Sequence, residues 1–293
     1  VINVHAGCKF ALLIVQELEM PVVRLKTGID CYYEEAGSGE PVILIAGVGA
    51  DHAAWIPQVA EYSRLYRVVT IDNRGIGRSD APGGVEAYTA SEMAEDTASL
   101  MDAAGIERAH VIGQSLGSAI AQELALKYPH RIRTLQLTVS WGRSDERIRN
   151  LSRIMSILIE RGLMEEYYAY IHTLAFSPDL VDTVPDLIAQ LYRTNMLESP
   201  KRPTVRGLLG QWHAVYCHDA LDRLGALNVP TQVIAGEGDM LIHPLYARKL
   251  ADSIRGCRFQ SFKGEKASHL LNIEMARQFN SVTLEFINNC RPG

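Results

Sequence analysis

A chain of 293 residues, 47% of them hydrophobic, is long enough to bury one substantial core with a smaller appended lobe. Its formal charge of -5 gives no electrostatic basis for binding nucleic acid or an anionic membrane surface, and no apolar run reaches the length of a bilayer span. The five cysteines (Cys8, Cys31, Cys217, Cys257 and Cys290) are dispersed, with no CxxC pair and no metal-ligand cluster, a usage that suits a reducing cytoplasm.

The apolar segment Phe10–Val15 leads into Gln16, Glu17 and Glu19 without a cleavage site for secretion. An ordinary domain start follows at Met20, so residues 1–19 read as an extension or tag. Strands are expected at Val22–Leu25 and Asp30–Glu34, separated by the turn at Thr27-Gly28, and then at Pro41–Ala46, Tyr66–Ile71 and Ala109–Ile112. The last three are concentrated Val/Ile/Leu runs, the pattern of parallel strands covered on both faces. Helices are expected between them at Ala53–Arg64 and Ser91–Ala104, the second stopping before Gly105. Another helix at Ser118–Tyr128 and a strand at Ile132–Thr138 continue the alternation. Strands at Pro230–Ala235 and Cys257–Phe262, with a helix at Leu245–Ile254 between them and a last helix over Leu271–Asn288, complete it. Repeated strand–helix units argue for an α/β fold with a mostly parallel, eight-stranded sheet flanked by helices.

Residues 143–220 interrupt this rhythm. They hold helical patterns at Ile148–Arg161, Met164–Leu174, Leu180–Leu197 and Val205–Tyr216, and no strand pattern. They read as a helical lid inserted into a core made of residues 20–142 and 221–293. A helical lobe that only completes the core is the plainer alternative.

The strongest local signal is Gly113-Gln114-Ser115-Leu116-Gly117, between an expected strand and an expected helix. Small residues around a serine at a sharp strand-to-helix turn permit a crowded backbone that exposes the hydroxyl. The first amides of the following helix then point to where negative charge would develop. A serine nucleophile needs a base, and the base needs a third group to hold its tautomer. Asp239 follows the seventh strand, at the strand end where open parallel sheets place functional groups. Glu237 and Asp145 are its rivals. His269 follows the last strand and is the base candidate; His110, His130 and His243 are poorly placed for it. For the oxyanion, Leu116 N–H follows the nucleophile directly, and Val48 N–H lies in the loop Gly47-Val48-Gly49-Ala50 after the third strand. That loop lacks the Lys-Ser/Thr ending of a P-loop and the spacing of a dinucleotide fingerprint, so it does not read as a phosphate cradle, and the serine chemistry needs no metal or organic cofactor.

With these residues in place the sequence resembles the α/β-hydrolase family across most of residues 20–290. Asp72-Asn73-Arg74-Gly75-Ile76-Gly77-Arg78-Ser79-Asp80 is similar to the family's D-x-R-G-x-G-x-S stretch, where Asp72 and Arg74 read as structural. The resemblance implies that Gly113–Gly117 is the nucleophile elbow, Asp239 the acid and His269 the base. Among subfamilies the chain is most similar to small-molecule esterases and 3-oxoadipate enol-lactonase-like hydrolases, through His218–Leu224 and His269–Glu274. It departs from them in three places. Ala46-Gly47 replaces the usual His-Gly, so a side chain that would brace the oxyanion loop is missing. Ser115-Leu116-Gly117-Ser118 stands for Ser-Met-Gly-Gly, and Gly264–His269 is a longer approach to the histidine.

The expected activity is therefore that of a serine hydrolase cleaving a carboxylic ester or lactone of a small, largely apolar molecule through an acyl-enzyme. Trp55, Trp141, Trp212 and Met240 are candidates to line the substrate site, with Tyr167, Tyr170 and Met196 behind them. Each is equally readable as ordinary core. A carboxylate-bearing lactone would want a cationic partner, for which Arg143, Arg147, Arg153 and Arg193 are available. A carbon–carbon bond hydrolase, or an acyltransferase or cyclase, could use the same three residues. A nonenzymatic small-molecule-binding protein is the reading of another class. The expected partner is a small molecule, with no nucleic acid and no membrane; the sequence also allows a homodimer.

Overall fold

The computed structural model describes residues 22–193 and 203–290. Eight strands form one sheet: β1 (Val22–Arg24), β2 (Asp30–Ala36), β3 (Pro41–Ile45), β4 (Arg67–Ile71), β5 (Ala109–Gln114), β6 (Ile132–Thr138), β7 (Thr231–Gly236) and β8 (Arg258–Phe262). Their spatial order is β1-β2-β4-β3-β5-β6-β7-β8. The pairs β1–β2 and β2–β4 are antiparallel, and every pair from β4 to β8 is parallel.

Parallel neighbours require crossovers, and helices supply them. α1 (Ile56–Tyr62) joins β3 to β4, α2 (Ala90–Ala103) joins β4 to β5, and α3 (Leu116–Lys127) joins β5 to β6. The alternation of side chains along each strand divides the core in two. On β3, Ile43 and Ile45 pack with the α2 and α3 residues Ala94, Met101, Ile120 and Leu124. Val42 and Leu44 face the other way, into a cluster with Tyr62 of α1 and with Phe279 and Ile287 near the C-terminus. Each buried Ile or Leu contributes about 1.5–3 kcal/mol relative to exposure, so slipping a strand by one residue would exchange the faces and lose both contacts.

Between β6 and β7 the chain leaves the sheet. The insertion contains α4 (Glu146–Glu160), α5 (Met164–Ala175), α6 (Pro178–Thr183), α7 (Pro185–Tyr192) and α8 (Val205–Cys217). Its two ends meet. Arg143 and Asp219 form an isolated antiparallel bridge, Ser144 N–H donates to His218 O at 2.9 Å, and Ala220 N–H donates to Gly142 O at 2.8 Å. After the insertion, α9 (Pro244–Asp252) lies between β7 and β8, and α10 (Leu271–Glu274) and α11 (Ala276–Asn289) follow the last strand.

Three expected helices differ in extent. The one expected over Ala53–Arg64 begins as a 3₁₀ turn at His52–Trp55, capped by Asp51, before α1 starts with Pro57 in its first turn. The helix expected over Leu180–Leu197 is broken between α6 and α7, because Pro185 cannot donate to the preceding turn and moves Val184 out of helical geometry (φ −137°, ψ 50°). Its expected end, with Met196, lies outside the described residues, as does the segment 1–19. The last helix is interrupted at Met275 (φ −119°, ψ 33°). No helix among the described residues is long and apolar enough to cross a membrane.

Candidate active site

The turn from β5 to α3 is shaped by crowding. Ser115 takes φ 54° and ψ −120°, a conformation an L-residue adopts only when its surroundings impose it. Its N–H donates to Thr138 O at 3.0 Å, so the neighbouring strand fixes the turn. A side chain on Gly113 would place Cβ 2.3 Å from Gly117 O, and one on Gly117 would lie 2.0 Å from Ile45 O. Only glycine fits at either position. Among the described residues Val139, just beyond β6, is the other non-glycine residue at positive φ, at 46°.

The loops after β7 and β8 bring Asp239 and His269 together in a buried position, with His269 Nδ1 2.8 Å from Asp239 Oδ2. Asp239 Oδ1 accepts the N–H groups of Leu241 at 2.9 Å and Ile242 at 2.8 Å. Those two bonds lock the carboxylate in one rotamer. With the carboxylate as acceptor, Nδ1 carries the proton and Nε2 is left with its lone pair. Ser115 and His269 line the same cavity, with Gly47, Val48 and Gly49 from the loop after β3. A Cβ on Gly47 would lie 3.6 Å from Ser115 Oγ, which measures how closely that loop approaches the hydroxyl.

The rival acids and bases are engaged elsewhere. Asp145 caps α4 through Ile148 N–H at 3.2 Å and accepts the Tyr246 hydroxyl at 2.7 Å. Glu237 accepts the Ser261 hydroxyl at 3.2 Å. His243 caps α9 and His110 lies 2.9 Å from the Thr134 hydroxyl. The Asp72–Asp80 stretch is a scaffold: Asp72 accepts the N–H groups of His52 at 2.8 Å and Arg78 at 2.9 Å, and Arg74 makes a buried ion pair with Asp96 at 2.6 Å. His52 itself also binds Asp72, with Nδ1 2.7 Å from Oδ1. Burial opposes its protonation, but Asp72, Asp51 and Glu34 together outweigh that and raise its pKa.

Leu116 is the first residue of α3, so its N–H has no acceptor within the helix. Around Val48 the neighbouring amides are committed, Gly49 N–H to Gln211 Oε1 at 2.9 Å and Ala50 N–H to Gly47 O at 3.4 Å. Gln211, on α8, was not identifiable as a site residue from sequence, where a glutamine in a helix reads as surface. Gln114, in sequence, reads only as the variable residue before the motif's serine. It donates to His269 O at 3.0 Å and Asn272 Oδ1 at 2.9 Å, tying the elbow to the histidine loop. Glu274 ties the same loop to the insertion, accepting Ser268 Oγ–H at 2.6 Å and Ser177 N–H at 2.9 Å. For Gln114 and Glu274 the one signal available is a polar residue inside an otherwise apolar pattern, since a buried polar group must find a partner.

Above these groups the cavity has a volume of about 160 Å³. Trp141 and Trp212 line it, with Tyr167, Tyr168 and Ile171 of α5. Trp55 and Met240 do not. Trp55 is fully buried on the opposite side of the sheet, where it packs against Phe279 at 6.5 Å between ring centroids. Met240 is 41% exposed, since its neighbours Leu241 and Ile242 turn inward to serve Asp239. Tyr170 is also exposed, on the outer side of α5. No Lys or Arg lines the cavity among the described residues. Arg143 is paired with Asp219 and Asp222, Arg153 with Glu146, Arg147 donates to Leu241 O and Met240 O, and Arg193 is exposed at the edge of the described residues. Among the described residues no group of three or more His, Cys, Asp or Glu side chains could hold a metal ion.

Residues 40–274 match the family of the alpha/beta hydrolase fold. The chain belongs to that family. As an α/β-hydrolase it is 31% identical over 258 residues to a protein of Azorhizobium caulinodans named "Putative carbamate hydrolase RutD", covering 88% of this chain and 94% of the relative. It is 28% identical over 252 residues to 3-oxoadipate enol-lactonase 1 of Acinetobacter baylyi, covering 85% and 88%. The crystal structure of an enol-lactonase from Burkholderia xenovorans superposes with a TM-score of 0.82 at 25% identity, covering 92% of this α/β-hydrolase and all of that chain. Family and cavity together assign a hydrolytic reaction on a small apolar substrate.

Proposed function

We propose that the protein is a serine hydrolase that cleaves a carboxylic ester or lactone of a small, largely apolar molecule through an acyl-enzyme on Ser115. The observation that carries this reading is the shared cavity of Ser115 and His269, with the far nitrogen of His269 held by a locked Asp239. His269 Nε2 takes the hydroxyl proton as Ser115 Oγ attacks the carbonyl carbon. The charge of the tetrahedral intermediate falls on its oxygen, to which the Val48 and Leu116 N–H groups donate, while Asp239 stabilises the imidazolium. His269 then returns the proton to the leaving oxygen. A water molecule, deprotonated by the same nitrogen, attacks the acyl carbon; the bond to Ser115 Oγ then breaks as His269 returns that proton to it, and the acid is released.

The cavity supports the substrate class. A volume near 160 Å³ is comparable to the roughly 150 Å³ that accommodates a benzene ring. Its aromatic and aliphatic walls would strand a carboxylate without a cationic partner, at a desolvation penalty of several kcal/mol. A neutral acyl group of about six carbons is therefore favoured over the dicarboxylate-derived lactone that the name of the Acinetobacter baylyi relative implies for that protein. Trp141 and Trp212 are the proposed substrate contacts among the four sequence candidates. The free thiols of Cys31, Cys217, Cys257 and Cys290 support a place in a reducing compartment, the cytoplasm.

The test is a panel of p-nitrophenyl esters of increasing acyl length together with neutral and carboxylated small lactones. Ser115→Ala is expected to fold normally and to lose about 10⁴-fold or more in kcat. Hydrolysis by that variant at the wild-type rate would overturn the nucleophile. A rate that keeps rising beyond eight or so acyl carbons, or a preference for carboxylated lactones, would overturn the substrate class.

A further inference from the structure

An oxyanion hole works by holding amides still before charge appears, so each donor loop must be anchored. The loop after β3 contains two glycines in four residues, and Gly49 stands at φ 73°, which gives it little stiffness of its own. Ala46 offers no polar side chain to hold it. Asn73 Nδ2 donates to Ala46 O at 3.0 Å, which secures the strand end but not the turn beyond it.

The turn is held from the insertion. Gln211 is fully buried on α8; its Oε1 accepts Gly49 N–H at 2.9 Å and its Nε2 donates to Arg74 O at 3.1 Å. One side-chain amide therefore joins the loop after β3 to the loop after β4. A primary amide has both an acceptor and a donor, as this position needs; a hydrocarbon has neither, and a carboxylate would oppose the Arg74 carbonyl. The approach of α8 is set one turn earlier, where a Cβ on Gly207 would lie 2.0 Å from Gly75 O. Gly210 makes a second such contact, its Cβ position lying 2.3 Å from the Tyr88 ring. Leu208, on the same helix, reaches within 3.3 Å of the Cβ position of Gly49. One backbone-to-backbone approach and one backbone-to-ring approach thus deliver Gln211 to a fixed point beside the turn.

We propose that Gln211 is a positioning residue for the oxyanion hole: by fixing Gly49 it aims the adjacent Val48 N–H, which makes helix α8 a working part of the acyl-transfer site. This rests on the serine-hydrolase reading above. Losing one oxyanion donor outright lowers kcat by about 10²–10³, and a donor left in place but mis-aimed loses less.

The experiment replaces Gln211 by Met, which keeps the side-chain length and removes both hydrogen bonds. On p-nitrophenyl butyrate the expected result is a fall in kcat of about 10- to 100-fold with KM within about two-fold. Affinity for a trifluoromethyl ketone, whose hemiketal oxyanion occupies the same hole, is expected to fall by a similar factor. Gln211→Asn, one methylene shorter and able to keep a buried amide, is read in the same way if the Met variant does not fold. Unchanged kcat and ketone affinity in a folded variant would overturn the proposal, and so would a fall in kcat that leaves ketone affinity intact. Ser115→Ala run beside them separates the two levels. Turnover that survives it removes the hydrolase reading and this inference together, whereas Ser115-dependent turnover indifferent to Gln211 removes only this inference.

Discussion

Helix α8 and helix α6 belong to the same insertion but are attached in opposite ways. α8 is pressed onto the core through its backbone, Gly207 on the backbone of Gly75 and Gly210 on the ring of Tyr88, and it buries Leu208, Gln211, Trp212, Ala214 and Val215. α6 buries no side chain completely. Its ties run through side chains at one end, Ser177 with Glu274 and Asp179 with Lys266 at 3.3 Å. The first kind of contact fixes distance to a fraction of an ångström, because close-packed backbone has nowhere to yield. The second kind fixes where the helix begins and leaves its outer surface unconstrained. Geometry that the reaction needs is expected on α8, and sequence that can change freely is expected on α6.

The comparison breaks most sharply at Gly207. Ala is the better helix former by about 1 kcal/mol, so an isolated helix would gain from Gly207→Ala. Here the added Cβ meets the Gly75 carbonyl, and overpacking of this kind costs about 1–3 kcal/mol or more. The expected net result is a fall in Tm, seen by calorimetry, together with a loss of hydrolytic activity as Gln211 is pushed away. A more stable variant would mean that α8 is not pressed on the core as described.

An effect confined to low pH should come from the root of α8. His218 follows the helix, buried against Trp141 with its Nε2 3.2 Å from Gln122 Oε1, and burial lowers its pKa from 6.5 to about 4. A histidine depressed on folding binds its proton in the unfolded chain first. Its contribution is therefore complete above pH 6.5 and declines as pH falls toward 4, by up to about 3 kcal/mol. His52 has the opposite sign: its raised pKa adds stability that is lost as pH rises through the folded value. Denaturant midpoints of wild type and His218→Gln between pH 7 and 4.5 isolate the first effect, since His52 is common to both. Curves that stay parallel would show that His218 does not titrate this way.

The smallest change is expected on α6. Asp179 and Lys266 are both exposed, and such pairs are worth about 0–1 kcal/mol. Asp179→Asn should shift the urea midpoint by an amount close to experimental error and leave kcat unchanged. A shift as large as that of Gly207→Ala would erase the distinction between the two helices.

Much of the architecture was legible because a parallel strand covered on both faces has no polar side to disguise it. The Val/Ile/Leu runs at residues 41–46, 66–71 and 109–112 could be read as strands, and their ends were close to those observed. Ser115, Asp239 and His269 are singled out by a local turn pattern and by their place after strand ends, both properties of the chain itself, and the fold puts Ser115 and His269 on one cavity with Asp239 beside His269. What failed or stayed hidden depended on direction in space. Trp55 and Trp141 both follow parallel strands, and only the fold decides that Trp141 faces the cavity and Trp55 the back of the sheet. Pro185 is visible in the sequence, but the apolar periodicity continues on both sides of it and hides the break between α6 and α7. Gln211 gave no sign of its role, because the partners that define it are the backbone of residues 49 and 74.

The meeting of the insertion's two ends at Arg143 and Asp219 has a consequence for how such enzymes can be re-engineered. Ends held side by side make residues 144–218 look like a cassette, removable at one seam and replaceable with a segment from a relative that accepts another substrate. The seam does not contain everything that the rest of the protein receives from that segment. A graft that closes neatly at residues 143 and 219 but brings a different side chain to position 211 would exchange the pocket walls and leave the turn after β3 without its support. Transplants in this scaffold should therefore be chosen by what they present to Gly49 as much as by the pocket they enclose.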